Sequence, residues 1–173
     1  EVYIETHLGG GSIIRNKLPA KQNIGIEIDT RVINLWKKEN PGYIKLIKGD
    51  ALNYLKNYNF TGNEFIYCDP PYLQETKRSN RLYKHEYSFK QHVDLLNIIK
   101  TLNCKIMISG YESKLYKESL KLWNTKSFLA CTHHGMATEW IWMNYKPPVE
   151  LHDYRYLGDN FRQRERIKKK INR

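Results

Sequence analysis

NIGIEIDTRVINLWKKENPGYIKLIKGDALNYLKNY, residues 23–58, passes twice through one pattern. Residues 23–28 alternate Ile24, Ile26 and Ile28 with smaller or polar neighbours, as a strand does. Thr30–Glu39 then places apolar residues at helical spacing. Ile44–Lys48 is a second strand-like run, and residues 51–58 a second helical one. Working outward, further strand-like runs stand at Val2–Glu5, Glu64–Cys68, 104–109, 125–132 and 138–144, with helices over 89–102 and 112–122. In the first of those helices Phe89, Val93, Leu96 and Ile99, with Leu95 and Ile98 beside them, recur as one buried face, and Ser88 is placed to cap it. Strands alternating with helices predict a mostly parallel sheet covered on both faces. The last two strands are separated only by His133-His134-Gly135-Met136-Ala137, which predicts an antiparallel hairpin at one edge. The expectation is an α/β fold with a seven-stranded, mostly parallel sheet and helices on both faces.

Residues 1–146 are expected to form one domain, and 147–173 a basic extension without apolar periodicity. The chain has 173 residues and carries 29 Lys and Arg against 18 Asp and Glu, a net charge of +11. That excess fits a polyanionic partner such as nucleic acid, or simply a lysine-solvated surface. Cys68, Cys104 and Cys131 lie far apart in or beside apolar runs and are expected to be reduced, buried thiols of a cytoplasmic protein. No Cys-x-x-Cys pair is present, and no metal site is expected. No apolar run approaches the ~18 residues of a membrane span. The sequence begins without Met, so a longer parent protein is expected.

In an open α/β sheet the residues just after the strands line the ligand site. After the first strand come Gly9-Gly10-Gly11, which let the backbone approach a ligand closely. No Gly-x-Gly-x-x-Gly fingerprint or following Lys-Ser/Thr marks a phosphate site. The second strand ends at Glu27-Ile28-Asp29, where a carboxylate suits ribose hydroxyls, or is merely a solvated strand end. The third ends at Gly49-Asp50, where an acid can accept from an adenine amine. The fourth runs into Asp69-Pro70-Pro71-Tyr72. Two prolines stiffen this loop and remove two donors, so Asp69 and the Pro70 carbonyl can both accept from one planar amino group. Tyr72 offers a face on which a base can stack.

This order of motifs resembles the Dam-like adenine-specific DNA methyltransferases, especially the small phage-type enzymes. The likeness extends to Gln91-His92, Ser109-Gly110-Tyr111, and Thr138-Glu139-Trp140 with Trp142 and Asn144. Thr6-His7 stands where the family usually has Pro-Phe, and the family's Pro-Gly-Gly-Lys-like opening segment is not in this sequence. The resemblance implies a Rossmann-like methyltransferase sheet, S-adenosylmethionine (SAM) as methyl donor, and transfer to the exocyclic amine of a flipped adenine in DNA. It implies that Gly9, Gly10 and Gly11 pack under the methionine part of SAM, with Glu27 on the ribose, Ile28 beside the adenine ring and Asp50 on its amine. Asp69, Pro70 and Tyr72 would hold the target base, Asp69 thus lying between the two ligands.

DNA contact is expected from two basic segments. The loop 73–87 holds Lys77, Arg78, Arg81 and Lys84, interleaved with Tyr83 and Tyr87. The tail 160–173 holds Arg162, Arg164, Arg166, Lys168, Lys169 and Lys170. Such a tail contacts phosphates without reading bases. His92 reads as a helix-packing residue, His133-His134 as surface, and Trp140 and Trp142 as core or pocket wall. Two competing readings stay open: a ribosomal RNA base-amine methyltransferase on the same fold, and a basic nucleic-acid-binding module without turnover.

Overall fold

The computed structural model describes residues 1–39, 42–73, 85–132, 135–148 and 161–171. Its elements run β1 (Val2–Glu5), α1 (Ser12–Asn16), β2 (Gln22–Glu27), α2 (Thr30–Glu39), β3 (Ile44–Lys48), α3 (Ala51–Asn57) and β4 (Glu64–Cys68). They continue with α4 (Phe89–Thr101), β5 (Lys105–Gly110), α5 (Lys114–Ser119), β6 (Asn124–Thr132), β7 (Gly135–Met143) and α6 (Phe161–Ile171). One seven-stranded sheet has the order β3-β2-β1-β4-β5-β7-β6. The first five are parallel neighbours, and β7 joins β5 and β6 antiparallel. The expected edge hairpin is present, but β7 begins at Gly135, so residues 135–137 are strand and not connection.

Alternation along the strands divides the core. Tyr3, with Leu8, Ile14, Trp36 and Ile44, packs on the face that α1 and α2 cover. Ile4, Ile24, Ile26, Ile66, Ile106 and Ile108 point to the other face, against Leu55, Leu95, Leu96, Ile99 and Tyr116 of α3, α4 and α5. Trp142 belongs to that core, and Trp140 stacks on it with centroids 6.3 Å apart.

Four expectations need correction. Phe89 is 59% exposed: of the face read from the sequence Leu96 and Ile99 are buried, and His92 and Leu95 complete it in place of Phe89 and Val93. Ser88 does cap that helix, in a reciprocal box with Gln91. Helix α5 is shorter than expected because Ser113 caps it, accepting from the Tyr116 amide at 3.2 Å. Cys68 is buried, but Cys104 is half-buried and Cys131 exposed, since the outer part of β6 lies beyond the sheet. Finally, α1 and α6 are helices that apolar periodicity does not reveal. Helix α1 is a little over one turn, and α6 is polar nearly all round, built from Arg, Lys, Gln and Glu, which favour helix without an apolar face. His92 is fully buried, with Nδ1 3.0 Å from the Tyr116 hydroxyl. His133 and His134 lie outside the described residues.

Candidate active site

From β1 the chain winds outward to β2 and β3, then crosses back to place β4 on the other side of β1. That reversal is the switch point where open α/β sheets bind ligands. A cleft of about 560 Å³ opens there, along the carboxyl ends of β1 to β4. It is lined by Gly9, Gly10, Gly11, Glu27, Ile28, Asp50, Asp69, Pro70 and Tyr72, so every expected cofactor and target-base residue meets in one cavity.

The glycine turn is held from three directions. Gly11 has φ +65°, and a Cβ there would stand 2.2 Å from Trp36 Cζ2, so no larger residue fits. The Trp36 indole donates to the Gly9 carbonyl at 2.7 Å, while the Arg15 guanidinium covers its ring at 3.9 Å. Glu27 takes the Gly9 amide at 2.9 Å through one carboxylate oxygen and the Asp29 amide at 2.7 Å through the other. A carboxylate has about four acceptor sites, so Glu27 keeps capacity for hydroxyls in the cleft. Asp50 caps α3, its Oδ1 accepting from the Asn53 amide at 2.8 Å. A methyl group placed on Gly9, Gly10 or Gly49 would meet no atom within 4 Å, so the space beside this backbone is open.

At the other end, Asp69 stays open to the cleft but is hemmed in by protein around its carboxyl. The Ser109 hydroxyl donates to its Oδ1 at 2.9 Å. Desolvation raises the Asp69 pKa above its ordinary value, against the lowering effect of Ser109 and the nearby Tyr72 hydroxyl. Glu139 of β7 is a near neighbour of Tyr72, whose ring meets Tyr111 at 4.5 Å.

Several lining residues escaped the sequence reading. Glu5, 3% exposed, accepts from the Tyr3 hydroxyl at 2.9 Å and the Ile14 amide at 3.0 Å, tying β1 to α1. Burial pushes its carboxyl up to about 7, with Asp69 adding to the shift. Its signal was an acid in step with buried strand positions. His7 shares hydrogen bonds with Thr6 Oγ1 at 2.8 Å and the Tyr87 hydroxyl at 2.9 Å, and burial pulls its imidazole down to about 3. Tyr87 is therefore a wall of the cleft packed on His7, and its hydroxyl is already engaged there.

Of the expected DNA contacts, Lys77, Arg78, Arg81 and Lys84 lie outside the described residues. Arg162, Arg164, Arg166 and Lys169 are exposed on α6, and Lys168 and Lys170 lie in the same helix. None of the described cleft-lining residues comes from α6. Among the described residues no cluster of His, Cys, Asp and Glu suits a metal ion, and no helix is long and apolar enough to cross a membrane.

Solved structures share this architecture. The Escherichia coli protein yhhF, a candidate methyltransferase, aligns with TM-score 0.53 and 14% identity over 82% of this chain and 74% of its own. A candidate methyltransferase of Streptococcus mutans, SMU.1697c, solved in complex with SAH, aligns with TM-score 0.54 and 12% identity over 82% and 86%. PH1948 of Pyrococcus horikoshii, a candidate RNA methyltransferase, gives TM-score 0.52 and 16% identity over 82% and 72%. At such identities the likeness is one of fold. No curated protein matches the chain in sequence. The sequence model of one family does match, over residues 41–129, just over half of the chain and including β3, β4, the Asp69-Pro70-Pro71-Tyr72 loop and β5. Fold, cleft and family model converge, and the chain belongs to the D12 class N6 adenine-specific DNA methyltransferases.

Proposed function

We propose that the cleft works as two halves, with SAM held at the ends of β1 to β3 and an adenine, extruded from DNA, held at the end of β4. The observation that carries this reading is the opening of Asp69-Pro70-Pro71-Tyr72 into the same cavity as the glycine turn, Glu27 and Asp50. The residues fit the cofactor. The open space beside Gly9, Gly10 and Gly49 leaves room for it, Glu27 has acceptor capacity for ribose hydroxyls, and half-exposed Ile28 offers an apolar edge to a purine. Asp50, with one oxygen engaged by Asn53, has the other for the purine amine. When bound, SAM supplies an electrophilic methyl group.

The chain's own residues act on the target. The adenine amine is conjugated with its ring and is a poor nucleophile. Asp69 and the Pro70 carbonyl accept its two hydrogens, which localises the nitrogen lone pair. As positive charge develops on that nitrogen, the Asp69 carboxylate offsets it, the counterpart of an oxyanion hole with the sign reversed. Ser109 holds the carboxylate in place at 2.9 Å, and the Tyr72 ring supplies the stacking face. No covalent enzyme intermediate is required. Cys68 is buried with its thiol pushed up to about 12, which fits a packing role. The basic α6 supplies phosphate contacts without base reading, which favours a short or relaxed target sequence.

Incubation with labelled SAM, offering duplex DNA and ribosomal RNA in parallel, tests the reading. Label in the adenines of DNA is expected. Label confined to RNA would overturn it in favour of a ribosomal substrate.

A further inference from the structure

β5 runs parallel to β4, so its last residue, Gly110, stands at the same edge of the sheet as Asp69. β7 pairs with β5 only from Trp140, opposite Gly110, to Met143. Residues 135–139 of β7 therefore extend past that edge, paired only with residues 128–132 of β6 among the described strands. At about 3.3 Å per residue they form a two-stranded ribbon projecting roughly 16 Å on the side where the cleft opens.

This ribbon carries large apolar side chains in solvent: Leu129 is 70% exposed, Met136 55% and Phe128 47%. Opposite partners share a face, so Leu129 and Met136 are diagonal neighbours on the face that bears Trp140 and Trp142 lower down. A two-stranded ribbon alone contributes little stability, so folding supplies no reason for these residues. Exposed apolar clusters of this kind mark contact surfaces. The base of the ribbon lies beside the target-base platform: Glu139 is a near neighbour of Tyr72, whose ring lies 4.0 Å from the position a Gly110 Cβ would take. Glu139 is also the one acid between residues 124 and 143, so the outer ribbon presents no carboxylate to a phosphate backbone.

We propose that the ribbon is a DNA-inserting wedge, with Leu129 and Met136 entering the duplex beside the target adenine and holding the space that it vacates. This rests on the adenine-extrusion reading above. Apolar wedges of Leu, Met and Phe unstack base steps in other duplex-bending proteins, and a β-ribbon fits the major groove. Extrusion is least costly for a mispaired base, so a wedge matters most when the adenine is properly paired.

The test is the double variant Leu129→Ser with Met136→Ser, alongside Leu129→Thr with Met136→Thr, which keeps strand-favouring residues in the ribbon. Methyl transfer is measured on a mixed-sequence duplex and on the same adenine strand annealed to a complement mispaired opposite its adenines. Both variants should lose at least tenfold on the matched duplex and less than twofold on the mispaired one. Equal losses on the two substrates, or none on the matched duplex, would overturn the wedge. So would a wild-type dimer that the variants dissociate with the matched-to-mispaired ratio unchanged, which would assign the ribbon to a second copy of the chain. A wild-type chain that methylates neither substrate defeats the extrusion reading itself, and the wedge with it.

Discussion

The two halves of the cleft are built by different means. At the ends of β1 to β3 the acids are bound to nearby backbone: Glu27 to the amides of Gly9 and Asp29, Asp50 to that of Asn53. The glycine turn is wedged against Trp36. At the end of β4 the supports come from far along the chain. Ser109 of β5 holds Asp69 from 40 residues away, and Glu139 of β7 lies beside Tyr72. A half tied by its own backbone is preorganised as the sheet forms. A half assembled from side chains of separate strands can readjust when a base arrives.

The largest effect should fall on chemistry in the second half. Asp69→Ala should reduce methyl transfer by about 10²–10³, the scale of losing one preorganised charge stabiliser, with SAM affinity within about twofold of wild type. Calorimetry beside a single-turnover assay checks both. The raised Asp69 pKa sets a sign as well: activity should fail, as pH falls, at a value above that of an ordinary aspartate, because the carboxylate must be ionised to offset the charge on nitrogen.

In the first half, Gly11→Ala should destabilise the fold by about 2–4 kcal/mol, combining overpacking against Trp36 with a left-handed backbone. Gly10→Ala, which meets no atom within 4 Å, should stay within about 0.5 kcal/mol. Denaturant melts of the pair measure this contrast, and equal losses would break the view of a turn wedged at one glycine.

Glu5, beneath both halves, gives a pH signature. Its folded pKa, about 7, lies above the unfolded 4.5, so the folded state keeps a proton that the unfolded state releases. Stability is therefore lost as pH rises from 4.5 through 7, by up to about 3 kcal/mol, and the penalty vanishes below that window. Glu5→Gln keeps an acceptor for Tyr3 and Ile14 without this term, so it should gain on wild type as pH rises through the window. Melting temperatures at pH 4.5 and 7.5 test it, and parallel pH curves would contradict it.

The smallest effect concerns SAM affinity. Glu27→Ala should weaken it by about 1–3 kcal/mol through unpaired hydroxyls, and through freeing the Gly9 and Asp29 amides. Isothermal titration showing equal affinity would remove the ribose assignment.

What the sequence shows and what it hides follow the same division. β1, β3 and β4 begin and end at the residues read from apolar runs, because each is bounded by a turn or by the loop that carries the site. Glu27, Asp50 and Asp69 were found because their places after successive strands follow from chain order alone. Glu139 and Ser109 appeared only as family likeness, since their partners are set by strand pairing between β4, β5 and β7, which has no local signal. Glu5 was hidden for the opposite reason: an acid ending an apolar strand looks solvated until the neighbouring strands and α1 close over it. Helix α6 was missed because its stability comes from propensity and not from a buried face.

The most direct test of a cleft divided between cofactor and target base is a crystal structure of the chain with S-adenosylhomocysteine and deoxyadenosine. The account predicts the cofactor ribose hydroxyls on Glu27, and the deoxyadenosine amine between the Asp69 carboxylate and the Pro70 carbonyl, with its ring on Tyr72. A cofactor seated at the end of β4, or an adenine amine bound away from Asp69, would contradict it.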